Sequence, residues 1–197
     1  MFNSLLATLS FDDPAMAATY VHYLATVKLR DTALESVEAD LLSWCDTEPF
    51  GHQVPRLAAY RSVTRIGALC LAAEVFDWRR IPKARPFMSF TGLVPGENST
   101  GLTQRRGSIT RTGNAHPRGQ LCEAAWSYQY SPNVGAGIKE RQRGVPPETV
   151  ARSWAAQVRL SKRFRQLAAH KNVRSVVAAA IARELAGFLW AEMVAEV

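Results

Sequence analysis

The chain has 197 residues, of which 47% are hydrophobic and 21% charged, the balance of an ordinary folded soluble protein with room for a real core in one domain or two small ones. No apolar run approaches membrane-spanning length, which excludes a transmembrane helix. The net charge of +7 is uneven: residues 1–50 hold two cations against eight carboxylates, a balance of −6, so the remainder carries +13.

Asp13-Pro14 reads as a helix start, with Asp as N-cap and Pro at the first helical position. Tyr20, Leu24, Val27, Leu34, Val37, Leu41 and Trp44 then recur at spacings of three, four or seven. This stripe predicts one long amphipathic helix, a coiled-coil arm pairing with another helix or a second copy through residues 14–44. Pro49 and Gly51 break it, placing a boundary between an arm or linker of residues 1–50 and a helical domain of residues 51–197.

That domain opens with a helix pair, Val54–Tyr60 and Arg65–Phe76, around a tight turn at Arg61–Thr64. The pair resembles a helix-hairpin-helix element, which presents backbone amides to a DNA phosphate; Thr64 and Arg65 are the candidate contacts, and plain helical packing is the competing reading. A short helix over Lys83–Phe90 follows. Another, from about His116 to Tyr130, carries Leu121, Ala124, Ala125 and Tyr128 on one face. Residues 131–147 read as a Gly/Pro loop bearing Lys139, Arg141 and Arg143. Two helices close the chain. Glu148–His170 is expected to bury Val150, Trp154, Val158 and Leu167 and to expose Arg152, Arg159, Lys162, Arg163 and Arg165. Val173–Val194 is apolar throughout and reads as core. The fold class is mainly α.

Nineteen of the 24 basic residues are Arg, the side chain that grips phosphate through two parallel hydrogen bonds, so a polyanion partner is expected for the body. Cys45, Cys70 and Cys122 have no metal-ligand spacing and fit a reducing cytoplasm. The start MFNSLLATLSFDD has no basic leader, so a cytoplasmic, nucleoid-associated protein is expected.

The densest chemistry lies in Gly92–Arg118, GLVPGENSTGLTQRRGSITRTGNAHPR. Glycines let backbone amides approach a phosphate, and Arg105, Arg106, Arg111 and Arg118 would neutralise its charge. Ser99 is a candidate nucleophile, although a serine in such a turn is ordinarily a cap. No Asp–His pair stands close by in the sequence, and His116 alone is weak as a general base.

GLVPGENSTGLTQRRGSITRTGNAHPRGQLCEAAW resembles the signature of the insertion-sequence transposases called IS-one-ten/IS-one-sixteen/IS-nine-oh-two, which runs GLxP, Ser-Ser/Thr-Gly, GxITKxGN, HxRR and EAAW. FDDP, TEPF, RSVTRIGALCLAAE, RRIPKARPFMSFTGL and IARELAGFLW extend the resemblance along the chain. It implies a recombinase in which an RNase H-like domain, binding Mg²⁺ through an Asp-Glu-Asp-Asp set, precedes a coiled coil and a C-terminal domain. That last domain supplies a serine that links to DNA, and many members use a structured guide RNA.

By motif, Ser99 takes the nucleophile role, with Thr100 beside it. Arg105, Arg106, Arg111, Asn114, His116 and Arg118 fall in the DNA- or RNA-contacting stretch. The chain departs from the pattern at His116-Pro117-Arg118-Gly119, which loses an arginine, and at Ser62, where the hairpin glycine would stand. The carboxylates of residues 12–40 read as a cap and a solvated helix face.

The expectation is therefore the C-terminal portion of a transposase, with no metal site of its own and Mg²⁺ belonging to the absent domain. It acts on DNA only alongside that domain. Alternatives are a non-catalytic nucleic-acid-binding module, a transposase remnant, or a helical adaptor dimerising through residues 14–44.

Overall fold

Asp13 accepts a hydrogen bond on Oδ1 from the Met16 amide at 2.8 Å, and helix α1 runs from there over Pro14–Trp44. A computed structural model describes residues 6, 8–97, 106–170 and 173–195. Contacts divide it into two units, Met1–Leu41 and Leu42–Val197. In the first, α1 buries no residue at all: Val27, Leu34 and Val37 are about half exposed (48%, 56% and 54%). Among the described residues no helix is long and apolar enough to cross a membrane.

The second unit is mainly α, with α2 (Gln53–Ala58), α3 (Arg65–Val75), α4 (Ala84–Phe90), α5 (Ala115–Trp126), α6 (Ala136–Arg141), α7 (Pro147–His170) and α8 (Arg174–Val194). Single 3₁₀ turns occupy Trp78–Arg80 and Ser127–Gln129. Strands β1 (Pro95–Glu97) and β2 (Arg106–Ile109) form an antiparallel hairpin, with Pro95 opposite Ile109 and Glu97 opposite Arg106.

Helix α8 is the hub, packed against α2, α4, α5 and α7. Val177, Ile181, Leu185 and Leu189 are fully buried, and interleaved Ala178, Ala182 and Ala186 let neighbouring helices come close. At Gly187 even a methyl group would stand 2.8 Å from Met88 Cε. Helix α5 buries Leu121, Ala124 and Ala125, and the following turn buries Tyr128, the face that its spacing predicts.

Helix α7 corrects the sequence expectation. Trp154 and Val158 are 44% and 43% exposed, and the buried face is Thr149, Ser153, Ala156, Gln157, Leu160, Ser161 and Phe164. Thr149, Ser153 and Gln157 can turn inward because partners meet them, whereas the buried Ser161 hydroxyl has none among the described residues. Gln157 Oε1 accepts from Arg61 at 3.1 Å and from the Asn133 amide at 2.6 Å, while Ser153 Oγ accepts from Gln142 at 3.1 Å. The expected loop over 131–147 holds the short helix α6. Its end is fixed by Arg141, which donates to the Ala58 carbonyl at 2.9 Å, and by Gln142, which donates to that of Ala59 at 3.1 Å. Cys45 is fully buried, while Cys70 and Cys122, which lie in apolar helical runs, are only partly so.

One carboxylate joins three helices. Glu192 of α8 has no exposed surface. It accepts from Arg56 of α2 (Nε 3.1 Å, Nη2 2.9 Å), from Arg152 of α7 (Nε 2.6 Å, Nη2 2.8 Å), from Thr149 Oγ1 (2.6 Å) and from Tyr60 Oη (3.1 Å). Arg152, expected on the exposed side of α7, is thus bound inward. Burial alone would raise the Glu192 carboxyl, but hydrogen bonds from Arg152, Thr149 and Arg56 outweigh it and hold the group at about 2 instead of 4.5.

Because the folded-state value is depressed, this group's stabilisation is complete above the unfolded value near 4.5 and is lost as pH falls toward 2. Urea denaturation followed by circular dichroism between about pH 6 and pH 2 should show that loss, on the order of 3 kcal/mol. Glu192→Gln should cost about 3–5 kcal/mol at neutral pH, since it leaves the buried Arg56 guanidinium without its counter-charge, and should flatten the acid dependence.

Candidate nucleic-acid interface

The β1–β2 hairpin is held at its base by the backbone of the turns on either side. Leu93, fully buried, anchors the entry, and Gly92 has a φ of +66°. The Thr110 amide donates to the Val94 carbonyl at 2.9 Å, Arg111 to that of Gly92 at 3.2 Å, and Asn114 to that of Phe90 at 2.7 Å. This approach leaves no room at Gly113: a Cβ there would lie 2.1 Å from the Phe90 oxygen and 2.4 Å from the Gly92 nitrogen. Here glycine is a steric requirement rather than a convenience.

Arg118 completes the clamp. Its Nη1 faces the carbonyl oxygens of Thr91 (3.3 Å), Arg111 (3.3 Å) and Gly113 (3.2 Å). Those contacts satisfy carbonyls that no strand or helix takes up, so Arg118 acts first on the backbone of the hairpin base. Asn114 also has structural partners. Its Oδ1 accepts from the His116 amide at 3.1 Å as the N-cap of α5, and its Nδ2 donates to Glu74 Oε2 at the end of α3. His116 follows with 81% of its side chain exposed and Nδ1 4.0 Å from Glu74 Oε1.

The α2–α3 turn is tight, as its sequence predicts. Ser62 adopts φ +60° where a glycine would carry no strain, and Thr64 caps α3 by accepting from the Gly67 amide at 3.0 Å. Arg65 is ion-paired with Asp46, and that bond raises its already high pKa. Between this turn and α5 lies an open groove of about 700 Å³, lined by Thr64, Gly67, His116, Gly119 and Gln120 among others. A second cavity of about 520 Å³ lies between the hairpin and the start of α8, with Arg111, Trp126 and Arg183 among its walls.

The structure therefore brings Thr64 and His116 to one groove and places Arg111, exposed and with φ +58°, at another. Ser99, Thr100 and Arg105 lie outside the described residues, as does the side chain of Arg106, whose backbone begins β2. Among the described residues no three His, Cys, Asp or Glu side chains converge to hold a metal ion.

Glu74, which fixes Asn114, has no local sequence signal. Glu192 does have one: it continues the buried series Leu185, Leu189 at helical spacing, and a carboxylate in that phase demands a partner.

Residues 55–136 match the model of the Transposase IS116/IS110/IS902 family. The chain is 44% identical over 135 residues to y4qE, named as a transposase, of Sinorhizobium fredii, covering 68% of this chain and 35% of that protein. It is 27% identical over 167 residues to the transposase of insertion sequence element IS1533 of Leptospira borgpetersenii, covering 82% of this chain and 47% of that one. It is 29% identical over 139 residues to a family 20 transposase of Pseudomonas aeruginosa, covering 71% and 35%. The chain thus spans about a third to a half of the length of these curated relatives. No solved structure matches it.

Two glycines test the clamp. Gly113→Ala should lower stability by about 2 kcal/mol or more by forcing Phe90 and Gly92 apart. Gly119→Ala, whose added Cβ meets nothing within 4 Å, should raise it by about 0.5–1 kcal/mol through helix propensity. Urea titration of both variants checks the contrast.

Proposed function

Through residues 55–136 the chain belongs to the IS116/IS110/IS902 transposase family, and we propose that it is the DNA-engaging part of an insertion-sequence transposase. The observation that carries this reading is the clamped hairpin. The family match spans both strands and the residues that lock their base, and the eight residues joining the strands include Ser99 and Arg105. A nucleophile that attacks phosphorus must be held against a fixed frame, and the Gly92–Gly113–Arg118 clamp provides one.

In this reading Ser99 Oγ attacks a DNA phosphodiester and displaces a strand oxygen. Arg105, Arg106 and Arg111 neutralise the phosphate, and the turn at Thr64 and Arg65, with His116 across the groove, steadies the backbone. The Mg²⁺ and its carboxylates come from a domain outside the residues described. Arg118 and Asn114 serve the reaction by holding the hairpin and the start of α5 in place. The half-exposed apolar residues of α1, Val27, Leu34 and Val37, support pairing of α1 with a second copy of the chain. A structured RNA would use the same basic surface.

The purified chain should bind duplex DNA and not cleave it. Neutralising about four phosphates would cost about 100-fold in affinity between about 50 mM and about 200 mM salt, read by fluorescence anisotropy. Ser99→Ala should leave that binding intact and abolish strand cleavage once a metal-bearing family domain is supplied. Salt-independent binding would remove the phosphate reading. Cleavage by the isolated chain with Mg²⁺, lost in Ser99→Ala, would overturn the division of labour.

A further inference from the structure

Phe76, just past the end of α3, is placed against two physical preferences at once. Its backbone has φ +59° and ψ −71°, and the Asp77 amide closes a three-residue turn on the Val75 carbonyl at 2.8 Å. This form of γ-turn is rare and strained for a residue bearing a Cβ. The phenyl ring is also 64% exposed, so little packing offsets the strain. Glycine would suit the backbone and a polar residue would suit the solvent.

Beside the ring a cavity of about 430 Å³ opens, within the range of sites that hold small organic groups. Phe76, Trp78 and Met193 form its apolar side, and His52, Asp77 and Arg79 its polar side. The indole of Trp78 is fixed, since its Nε1 donates to Gln53 Oε1 at 2.9 Å. The carboxylates here are engaged: Asp77 pairs with Arg79 at 2.9 Å, and Glu48 lies 4.0 Å from His52. Arg79, Arg80, Lys83 and Arg85 are all exposed, and no Asp or Glu occurs between Asp77 and Glu97.

From the strained aromatic, the half-apolar cavity and the basic segment that follows, we infer that Phe76 and this cavity receive a nucleobase lifted out of a DNA strand. The phenyl ring stacks on the base, while Arg80, Lys83 and Arg85 meet the adjoining phosphates. The strain is retained because it keeps the ring in solvent beside an open cavity rather than folded onto the protein. This inference rests on the DNA-engaging reading above and adds a site to it.

The test compares two DNA duplexes, one fully paired and one with a single unpaired 2-aminopurine. The unaltered chain should bind the second about five-fold more tightly or better and change its 2-aminopurine fluorescence on binding. Phe76→Gly should raise the melting temperature, keep the affinity for the paired duplex within about two-fold, and lose the preference for the unpaired base. Phe76→Asn, which also tolerates positive φ, should behave alike, and Phe76→Trp should keep the preference. Equal binding of both duplexes by the unaltered chain, or a preference that survives Phe76→Gly and Phe76→Asn, overturns the inference and leaves DNA binding standing. No binding to either duplex overturns both.

Discussion

The carboxylate of Glu192 sets the frame within which the rest of the helical domain is arranged. Six hydrogen bonds from four side chains converge on its two oxygens, and Arg56 Nη2 also reaches the Glu192 carbonyl at 2.7 Å. Burying such a charge costs several kcal/mol, so the network is not chiefly a source of net stability. Its effect is on register. Sliding α7 or α2 by one turn along α8 would strand Glu192 and the buried Arg56 guanidinium without their partners. An apolar interface between these helices would have tolerated such a slip. With α8 fixed in rotation, its alanine-rich surfaces dictate how closely α5 approaches, and α5 begins with the residues that clamp the hairpin.

That dependence changes how the arginines should be read. A chain with 19 arginines in 24 basic residues invites the view that its positive charge faces a polyanion. Several of those arginines work on the protein itself. Arg56 and Arg152 neutralise Glu192, Arg61 reaches Gln157 and the Ser131 carbonyl, and Arg141 holds the Ala58 carbonyl. Arg118 faces three carbonyls at the hairpin base. The N–H donors that suit phosphate also suit a cluster of backbone oxygens, since both are acceptors without protons of their own. Net charge therefore overstates the number of cations available to a partner, and the exposed ones, such as Arg80 and Arg85, carry more weight than the total.

How far the sequence could be read follows from the same physics. The α5 face was legible because Leu121, Ala124 and Ala125 obey helical spacing and are apolar. Asp13 was legible as a cap because its chemistry is local. Helix α7 was misphased because periodicity counts Trp154 and Val158 as inward. Thr149, Ser153, Gln157 and Ser161 occupy that side, and partners for three of them lie elsewhere in the chain. The hairpin escaped because strands of three and four residues carry almost no alternation. Of the candidate residues, Thr64 and His116 share a groove, while Arg118 and Asn114 brace the hairpin base and the start of α5 through bonds that no local pattern announces.

Backbone strain ties the buried network to the surface. Among the described non-glycine residues, positive φ occurs at Ser62, Phe76 and Arg111. Each sits at a joint beside a groove or cavity: Ser62 in the turn before α3, Phe76 directly after it, and Arg111 where the chain leaves β2. Each is pinned by a backbone hydrogen bond at its own or the next residue. Val63 donates to Tyr60 at 3.2 Å, Phe76 to Ala72 at 2.7 Å and Arg111 to Gly92 at 3.2 Å. Such conformations cost about 1–2 kcal/mol apiece, and they persist only where the surrounding structure over-determines the backbone. The acceptors lie in or beside the packed helices: Tyr60, itself bound to Glu192, Ala72 of α3, which packs on α2 and α5, and Gly92 under the Arg118 clamp. A core free to slip in register could not hold three strained joints at its surface. The close packing of the helices around these joints is what lets Ser62, Phe76 and Arg111 stay in conformations their side chains resist.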